Sequence, residues 1–237
     1  MANKYIVITG ASDGLGKYLA IYLAKAGATV ILLARNEEKL KALTSDISKA
    51  GGNACYYICD LNNYQNITKT IKDIKNSCKF ISILINNAAV LSTVELENQD
   101  PEIVDSTFKT NVIGPMILTK GLLNNIHPQT ESYIVNILSD GLLSDDIHQD
   151  YTTYITTKGA LAEYSRILRI QRKSSGTRVI DFYPGPFAST IFERVGKINT
   201  KFKEWMMTPE YVANTIVDIL SQPTESIVDK YIIHRKE

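Results

Sequence analysis

Thr9-Gly10-Ala11-Ser12-Asp13-Gly14-Leu15-Gly16 follows directly on the apolar, β-branched run Lys4 to Thr9, and Leu15, Leu19, Tyr22 and Leu23 then recur at helical spacing. A buried strand, a glycine turn and a helix in immediate succession leave few folds open. Small residues let the backbone approach a pyrophosphate, and the helix N-terminus offers free N–H groups with a partial positive charge. Glycines by themselves mark any tight turn. The strand before them and the helix after them point to a dinucleotide cradle holding Gly10, Ser12, Asp13, Gly14, Leu15 and Gly16. The spacing, Gly-x-x-x-Gly-x-Gly, is wider at its start than the common fingerprint.

The alternation continues along the chain. Strands are expected over 5–9, 29–34, 53–60, 81–86, 132–138, 178–183 and 230–234, with helices after the first six, the last near 209–220. Strands alternating with helical patterns predict a doubly wound parallel sheet of seven strands with helices on both faces. No stretch resembles an interdomain linker or a repeat, so all 237 residues are expected to form one α/β unit, and an apolar fraction of 44% is ample for its core. Gly114-Pro115 should distort the helix that carries Asn111.

The end of the second strand bears on which dinucleotide binds. An acidic residue there would hold a ribose 2′-hydroxyl. The chain has Ala34 and then Arg35, whose planar guanidinium suits a 2′-phosphate. This favours NADP(H), with NAD(H) the other possibility. Two points weigh against it: Arg35 also reads as a surface residue leading into the helix start Asn36-Glu37-Glu38, and Asp13 brings a negative charge to the phosphate pocket.

Tyr154 and Lys158 stand four residues apart in a helical segment and share one face. Free tyrosine titrates near pH 10, about three units too high for a base at neutral pH. A neighbouring ammonium would lower that value and make the phenol an acid or base. On its own, Tyr-x-x-x-Lys fits an ordinary helix with a packed tyrosine and a solvated lysine; the glycine turn upstream favours the chemical reading. Tyr151 has Ile155 one turn on and lacks such a partner.

With these motifs the chain resembles the short-chain dehydrogenase/reductase family in its short, single-domain, Rossmann-type form. The likeness runs over nearly the whole length. Thr9–Gly16 is similar to the family's cofactor turn, Asp60-Leu61 to its adenine contact, and Asn86-Asn87-Ala88-Ala89 to its Asn-Asn-Ala-Gly segment. Asn111, Ser139, Tyr154 and Lys158 resemble the catalytic tetrad, and Pro184-Gly185 resembles the turn beneath the nicotinamide, with Ser189 or Thr190 near the carboxamide. The resemblance implies that Tyr154 exchanges a proton with a carbonyl or alcohol oxygen, Ser139 polarises that oxygen, Lys158 lowers the tyrosine pKa and bonds the ribose, and Asn111 holds a water linking Lys158 to solvent. Ser139 lies two residues further from its tyrosine than is usual, which makes 140–148 a longer loop. Ser144 is too close to Tyr154 and lies outside the strand, so Ser139 is the better candidate. His148, in that loop, reads as solvated.

Residues 187–207 read as a lid that excludes water, apolar at Phe187, Ile191, Phe192 and Trp205. With Leu142, Leu143 and Tyr151 it suggests an apolar or bulky carbonyl or alcohol substrate; packing of the lid onto the core is the equal alternative. Net charge of +1 gives no reason to expect nucleic acid or a membrane surface as partner. The N-terminus lacks a signal-peptide pattern and no stretch approaches a membrane span, so a cytoplasmic location is expected. Cys55, Cys59 and Cys78 have no metal-ligand spacing with the three histidines, and no metal is expected. The family's usual homodimer or homotetramer, formed through the helices bearing Asn111 and Tyr154, is implied by the resemblance alone. The leading reading is hydride transfer between a nicotinamide and a carbonyl/secondary-alcohol pair. A silent NADP(H)-binding sensor or scaffold is the alternative, and an epimerase or dehydratase of the family's extended form ranks last.

Overall fold

The strands form one seven-stranded, all-parallel sheet in the order β3-β2-β1-β4-β5-β6-β7, in a computed structural model that describes residues 1–126, 132–145, 149–196, 204–222 and 228–235. They are β1 (Tyr5–Thr9), β2 (Thr29–Ala34), β3 (Asn53–Ile58), β4 (Ile83–Asn86), β5 (Ser132–Ile137), β6 (Thr177–Pro184) and β7 (Lys230–Ile233). The helices are α1 (Gly14–Lys25), α2 (Glu37–Lys49), α3 (Tyr64–Ser77), α4 (Pro101–Phe108), α5 (Gly114–Leu122), α6 (Thr152–Arg172), α7 (Thr190–Arg194) and α8 (Pro209–Ser221). This is a Rossmann-type doubly wound fold, as the alternation of patterns predicts.

Successive residues of each central strand feed two different cores, which is why the strands read as continuous apolar runs rather than alternating ones. Ile6, Ile8, Val30 and Leu32 pack beneath α1, α2 and α8 with Leu19, Leu40 and Ile216. Val7, Ile31 and Leu33 face the other way, against Ile67 and Ile74 of α3 and Leu118 of α5. Strand order reverses between β1 and its neighbours β2 and β4, and Thr9 and Asn86 end adjacent strands at that switch point. In open parallel sheets ligands enter at such a crevice, beyond the carboxyl ends of the strands.

Several strand ends differ from the sequence reading. The third strand was expected to reach Asp60; it stops at Ile58 because the Asp60 N–H turns to the Asn66 side chain instead of a neighbouring strand. The fourth begins at Ile83 rather than Ile81, which makes only an isolated bridge to Ile126. The fifth and seventh each end one residue early, at Ile137 and Ile233, and the sixth gains Thr177 and Pro184. Asn36 caps α2 by accepting from the Lys39 N–H at 2.9 Å, so Arg35 does lead into a helix. The expected distortion at Gly114-Pro115 is a π-helical turn over Lys109–Ile113, with Asn111 in its middle. Gly114 is required there: a Cβ would come within 2.6 Å of the Leu61 carbonyl oxygen.

Candidate active site

The glycine turn is shaped by what its residues lack. Gly10 and Gly14 hold φ of +66° and +49°, a left-handed conformation that disfavours any Cβ. A Cβ on Gly16 would lie 2.3 Å from the Gly10 carbonyl oxygen. Gly16 therefore lets α1 close onto β1 and does not itself line the cavity, whereas Gly10, Ser12, Asp13, Gly14 and Leu15 do. The Asn87 turn after β4 is stitched to this loop. The Asn87 side-chain amide donates to the Thr9 carbonyl at 2.8 Å, and the Thr9 hydroxyl accepts from the N–H groups of Asn87 (2.9 Å) and Ala88 (3.0 Å).

The cavity has a volume of about 470 Å³ and runs from the ends of β2 and β3 to the ends of β5 and β6. At its β2–β3 end stand Arg35, Asp60 and Leu61; at the other, Ser139, Tyr154, Lys158, Pro184, Gly185 and Ser189. Asn87 and Ala88 line it between β1 and β4. The negative charge at Asp13, which seemed to oppose a phosphate, is compensated. Asp13 pairs with Lys39 at 2.6 Å and Arg194 at 3.7 Å, and caps α1 by accepting from the Gly14 N–H at 2.9 Å. Burial would raise its carboxyl pKa, but Lys39, the Gly14 N–H and Arg194 together hold it below the ordinary aspartate value.

The residues fit a bound dinucleotide on two structural counts. The Ser189 hydroxyl is buried on the cavity wall without a hydrogen-bond partner among the described residues, an omission that normally costs free energy. Gly14, at the N-terminus of α1, faces Ser189 across the cavity, where a Cβ would stand 3.7 Å from the Ser189 Cβ, and a helix N-terminus favours an anionic group.

Lys158 is 2% exposed, donates to the Ile137 carbonyl at 2.7 Å, and holds its ammonium 5.5 Å from the centre of the Tyr154 ring. Burial pushes its pKa down to about 8. The expectation that Lys158 lowers the tyrosine pKa is not met in this geometry. Burial, then the charges of Asp140 and Tyr151, raise the Tyr154 phenol above its usual value. The lysine lies over the ring face and is committed to a backbone carbonyl, so the environment favours a protonated phenol.

A family model described as short chain dehydrogenase matches residues 4–199. The chain belongs to the short-chain dehydrogenase family. Among its curated relatives, the chain is 27% identical to a ketoacyl reductase, HetN, of Nostoc sp., over 96% of this chain and 79% of that one. It is 32% identical over 168 residues to a fatty acyl-CoA reductase of Acinetobacter baylyi, covering 70% of this chain and 56% of that protein. Among solved structures, an alcohol dehydrogenase of Thermococcus sibiricus complexed with 5-hydroxy-NADP superposes with a TM-score of 0.88 at 21% identity, over 99% of both chains. The closed form of serine dehydrogenase complexed with NADP+ gives 0.86 at 22% identity, over 97% of this chain and 94% of that one.

Within this dehydrogenase fold, Ser139 lies at the cavity and Ser144 is exposed outside it. The Ser139 hydroxyl accepts from the Gly141 N–H at 3.2 Å, which leaves its proton available to a ligand oxygen. The Asn111 side chain is committed to neighbouring segments. Its amide oxygen accepts from the Val90 N–H (2.8 Å), and its amide nitrogen donates to the Val90 carbonyl (2.9 Å) and the Thr157 hydroxyl (3.0 Å). Thr157 in turn donates to the Tyr154 carbonyl at 2.6 Å. The Asn111 side chain thus ties the segment after β4 to the helix that carries Tyr154, and it does not line the cavity. Leu142, expected near substrate, packs instead against Leu138, Leu161 and Tyr183.

The ends of the 187–207 segment are pinned together, the Met207 N–H donating to the Pro186 carbonyl (3.0 Å) and the Ala188 N–H to the Met207 carbonyl (2.8 Å). Phe187, Ile191 and Phe192 line the cavity; the lid's lysines at 197, 201 and 203, and His148, lie outside the described residues. Sequence reasoning passed over three charged groups at the site. Lys39 and Arg194 flank Asp13, and Asp140 lies next to Ser139. Asp140 could have been found from its place just beyond a strand's carboxyl end, and Lys39 from its place one helical turn beyond Arg35.

Proposed function

We propose that the protein is an NADP(H)-dependent reductase of a carbonyl substrate, running in reverse as a secondary-alcohol dehydrogenase. Membership of the family supports the oxidoreductase class. The observation that carries the reading is that Ser139, Tyr154 and Lys158 open onto the same cavity as the glycine turn. Gly10, Gly14 and the N-terminus of α1 would receive the pyrophosphate, Asp60 and Leu61 the adenine, and Ser189 the carboxamide end. Arg35, exposed and without an ion pair among the described residues, would take the 2′-phosphate, with Lys39 beside it. The NADP named in the solved neighbours agrees with this preference.

The coenzyme, when bound, supplies the hydride. Ser139 would donate a hydrogen bond to the substrate oxygen, holding it where negative charge develops. Tyr154, kept protonated by burial and by Asp140, would pass its phenolic proton to that oxygen. Lys158, fixed by the Ile137 carbonyl, would hold the ring in place and then compensate the phenolate left behind. Asn111 would act as a positioning residue through Thr157. Phe187, Ile191 and Phe192, on a lid spanning 187–207, would keep water from the reacting atoms and favour an apolar or bulky substrate. Among the described residues no helix is long and apolar enough to cross a membrane. A cytoplasmic homodimer, formed through the helices bearing Asn111 and Tyr154, completes the reading; Ile167 and Ile170 are exposed on α6.

The test is a panel of aldehydes and ketones, read by loss of NADPH absorbance and repeated with NADH. The expected result is turnover of at least one carbonyl class with NADPH favoured. Coenzyme binding without turnover across the panel would replace this reading with that of a silent sensor.

A further inference from the structure

Asp140 helps to keep Tyr154 protonated but has no place in coenzyme binding and does not itself pass the proton. It follows Ser139, begins the short 3-10 turn Asp140–Leu143 at the carboxyl end of β5, and lines the same cavity as Tyr154. Its side chain is 22% exposed, and its Oδ2 lies 3.3 Å from Nδ1 of His234, an exposed residue just beyond β7. Gly185 packs against it so closely that a Cβ would stand 3.0 Å from Oδ2. The carboxylate is therefore held in place from both sides.

Among the described residues three acidic side chains line the cavity, Asp13, Asp60 and Asp140, and their positions differ. Asp13 stands at the glycine turn, neutralised by Lys39 and Arg194, and Asp60 follows β3 at the other end. Asp140 is the acidic group at the catalytic end among the described residues. His234, exposed at 3.3 Å, is its cationic companion when protonated, while Lys158 at this end is buried and donates to Ile137. The charge of Asp140 reaches the Tyr154 phenol and raises its pKa, so it also acts on whatever oxygen that phenol would serve. A partly desolvated carboxylate is screened less than a surface one and acts strongly on a neighbouring charge.

We propose that Asp140 selects the substrate by charge: the site takes a carbonyl compound carrying an ammonium or hydroxyl donor near the reacting carbon and rejects one carrying a carboxylate there. This rests on the reductase reading above and narrows its substrate class. The donor would bond to the Asp140 carboxylate while Ser139 and Tyr154 engage the carbonyl oxygen; a substrate carboxylate would meet an unfavourable like charge.

The experiment compares methyl ketones of matched length bearing a terminal ammonium, hydroxyl or carboxylate, with NADPH, in the wild-type protein, Asp140→Asn and Asp140→Ser. In the wild type, kcat/KM for the ammonium ketone should exceed that for the carboxylate ketone by about tenfold or more. In both variants the ratio should fall to within about twofold, the carboxylate ketone improving in absolute terms, with NADPH affinity unchanged. Retention of NADPH affinity also reports that each variant is folded. A ratio that survives in the variants, or a wild type that prefers the carboxylate ketone, overturns the assignment of Asp140 and leaves the reductase reading standing. No NADPH oxidation with any carbonyl compound overturns both.

Discussion

The two ends of the cavity are built on opposite principles. The glycine turn owes its shape to missing side chains: Gly10 and Gly14 adopt left-handed backbone, and a Cβ on Gly16 would stand 2.3 Å from the Gly10 carbonyl oxygen. The catalytic end owes its properties to side chains that are present and buried. Burial shifts the pKa values of Lys158, Tyr154 and Asp140, and the charge of Asp140 adds to the shift at Tyr154. Damage at the first end should therefore be steric and abrupt. Damage at the second should be electrostatic, graded and sensitive to pH.

The largest effect should come from Gly16→Ala. The added methyl meets a backbone atom, which cannot swing aside, so α1 must move off β1. NADPH binding should be lost together with several kcal/mol of stability, on the order of 3 or more, as read by urea unfolding and fluorescence titration. A variant that binds NADPH normally would remove the steric account of this end.

Tyr154→Phe should come next. It deletes one hydroxyl, and carbonyl reduction should fall by about 10² to 10⁴-fold while NADPH affinity stays near wild type. Loss of both in proportion would mean that the tyrosine organises the fold and not the proton.

Lys158 gives the contrast its pH signature. Burial lowers its folded pKa to about 8, against 10.5 for the solvent-exposed lysine of an unfolded chain. Below pH 8 both states carry the proton, and the penalty for burying the charge is constant. Between pH 8 and 10.5 only the unfolded chain keeps it, so stability should rise with pH there, by about 3 kcal/mol in all. Above 10.5 the contribution is flat. Burial raises the Cys59 thiol to about 11 and opposes this rise in both proteins, so in urea unfolding of the coenzyme-free protein the stability of wild type relative to Lys158→Met should increase across this range.

Arg35→Ala should be the smallest change, weakening NADPH by about tenfold and leaving NADH within twofold. Equal loss for both coenzymes would place Arg35 on a shared phosphate and reverse the selectivity argument.

How far each end was legible in the sequence follows from the same contrast. The glycine turn is local: residues 9–16 carry both the conformational requirement and its consequence, so motif reading found them. Asp13 shows the limit. Read alone, it opposed a phosphate; its partners Lys39 and Arg194 are 26 and 181 positions away along the chain, and the fold makes it a neutralised cap. Asn111 was picked out by motif, yet that its amide would be spent on Val90 and Thr157 depended on how the π-helical turn faces α6.

The sequence alone determined the alternation of strands and helices, the parallel sheet, the glycine cradle and the pairing of Tyr154 with Lys158 on one helical face, because each follows from spacing within a short segment. Tertiary structure decided the charge states. The Lys158 ammonium turns to the Ile137 carbonyl, and Asp140 is brought near Tyr154 and His234, so the phenol is raised where the local pattern alone had it lowered. Coulombic and desolvation effects depend on distance and burial in three dimensions, and neither is encoded in the interval between two residues in the chain.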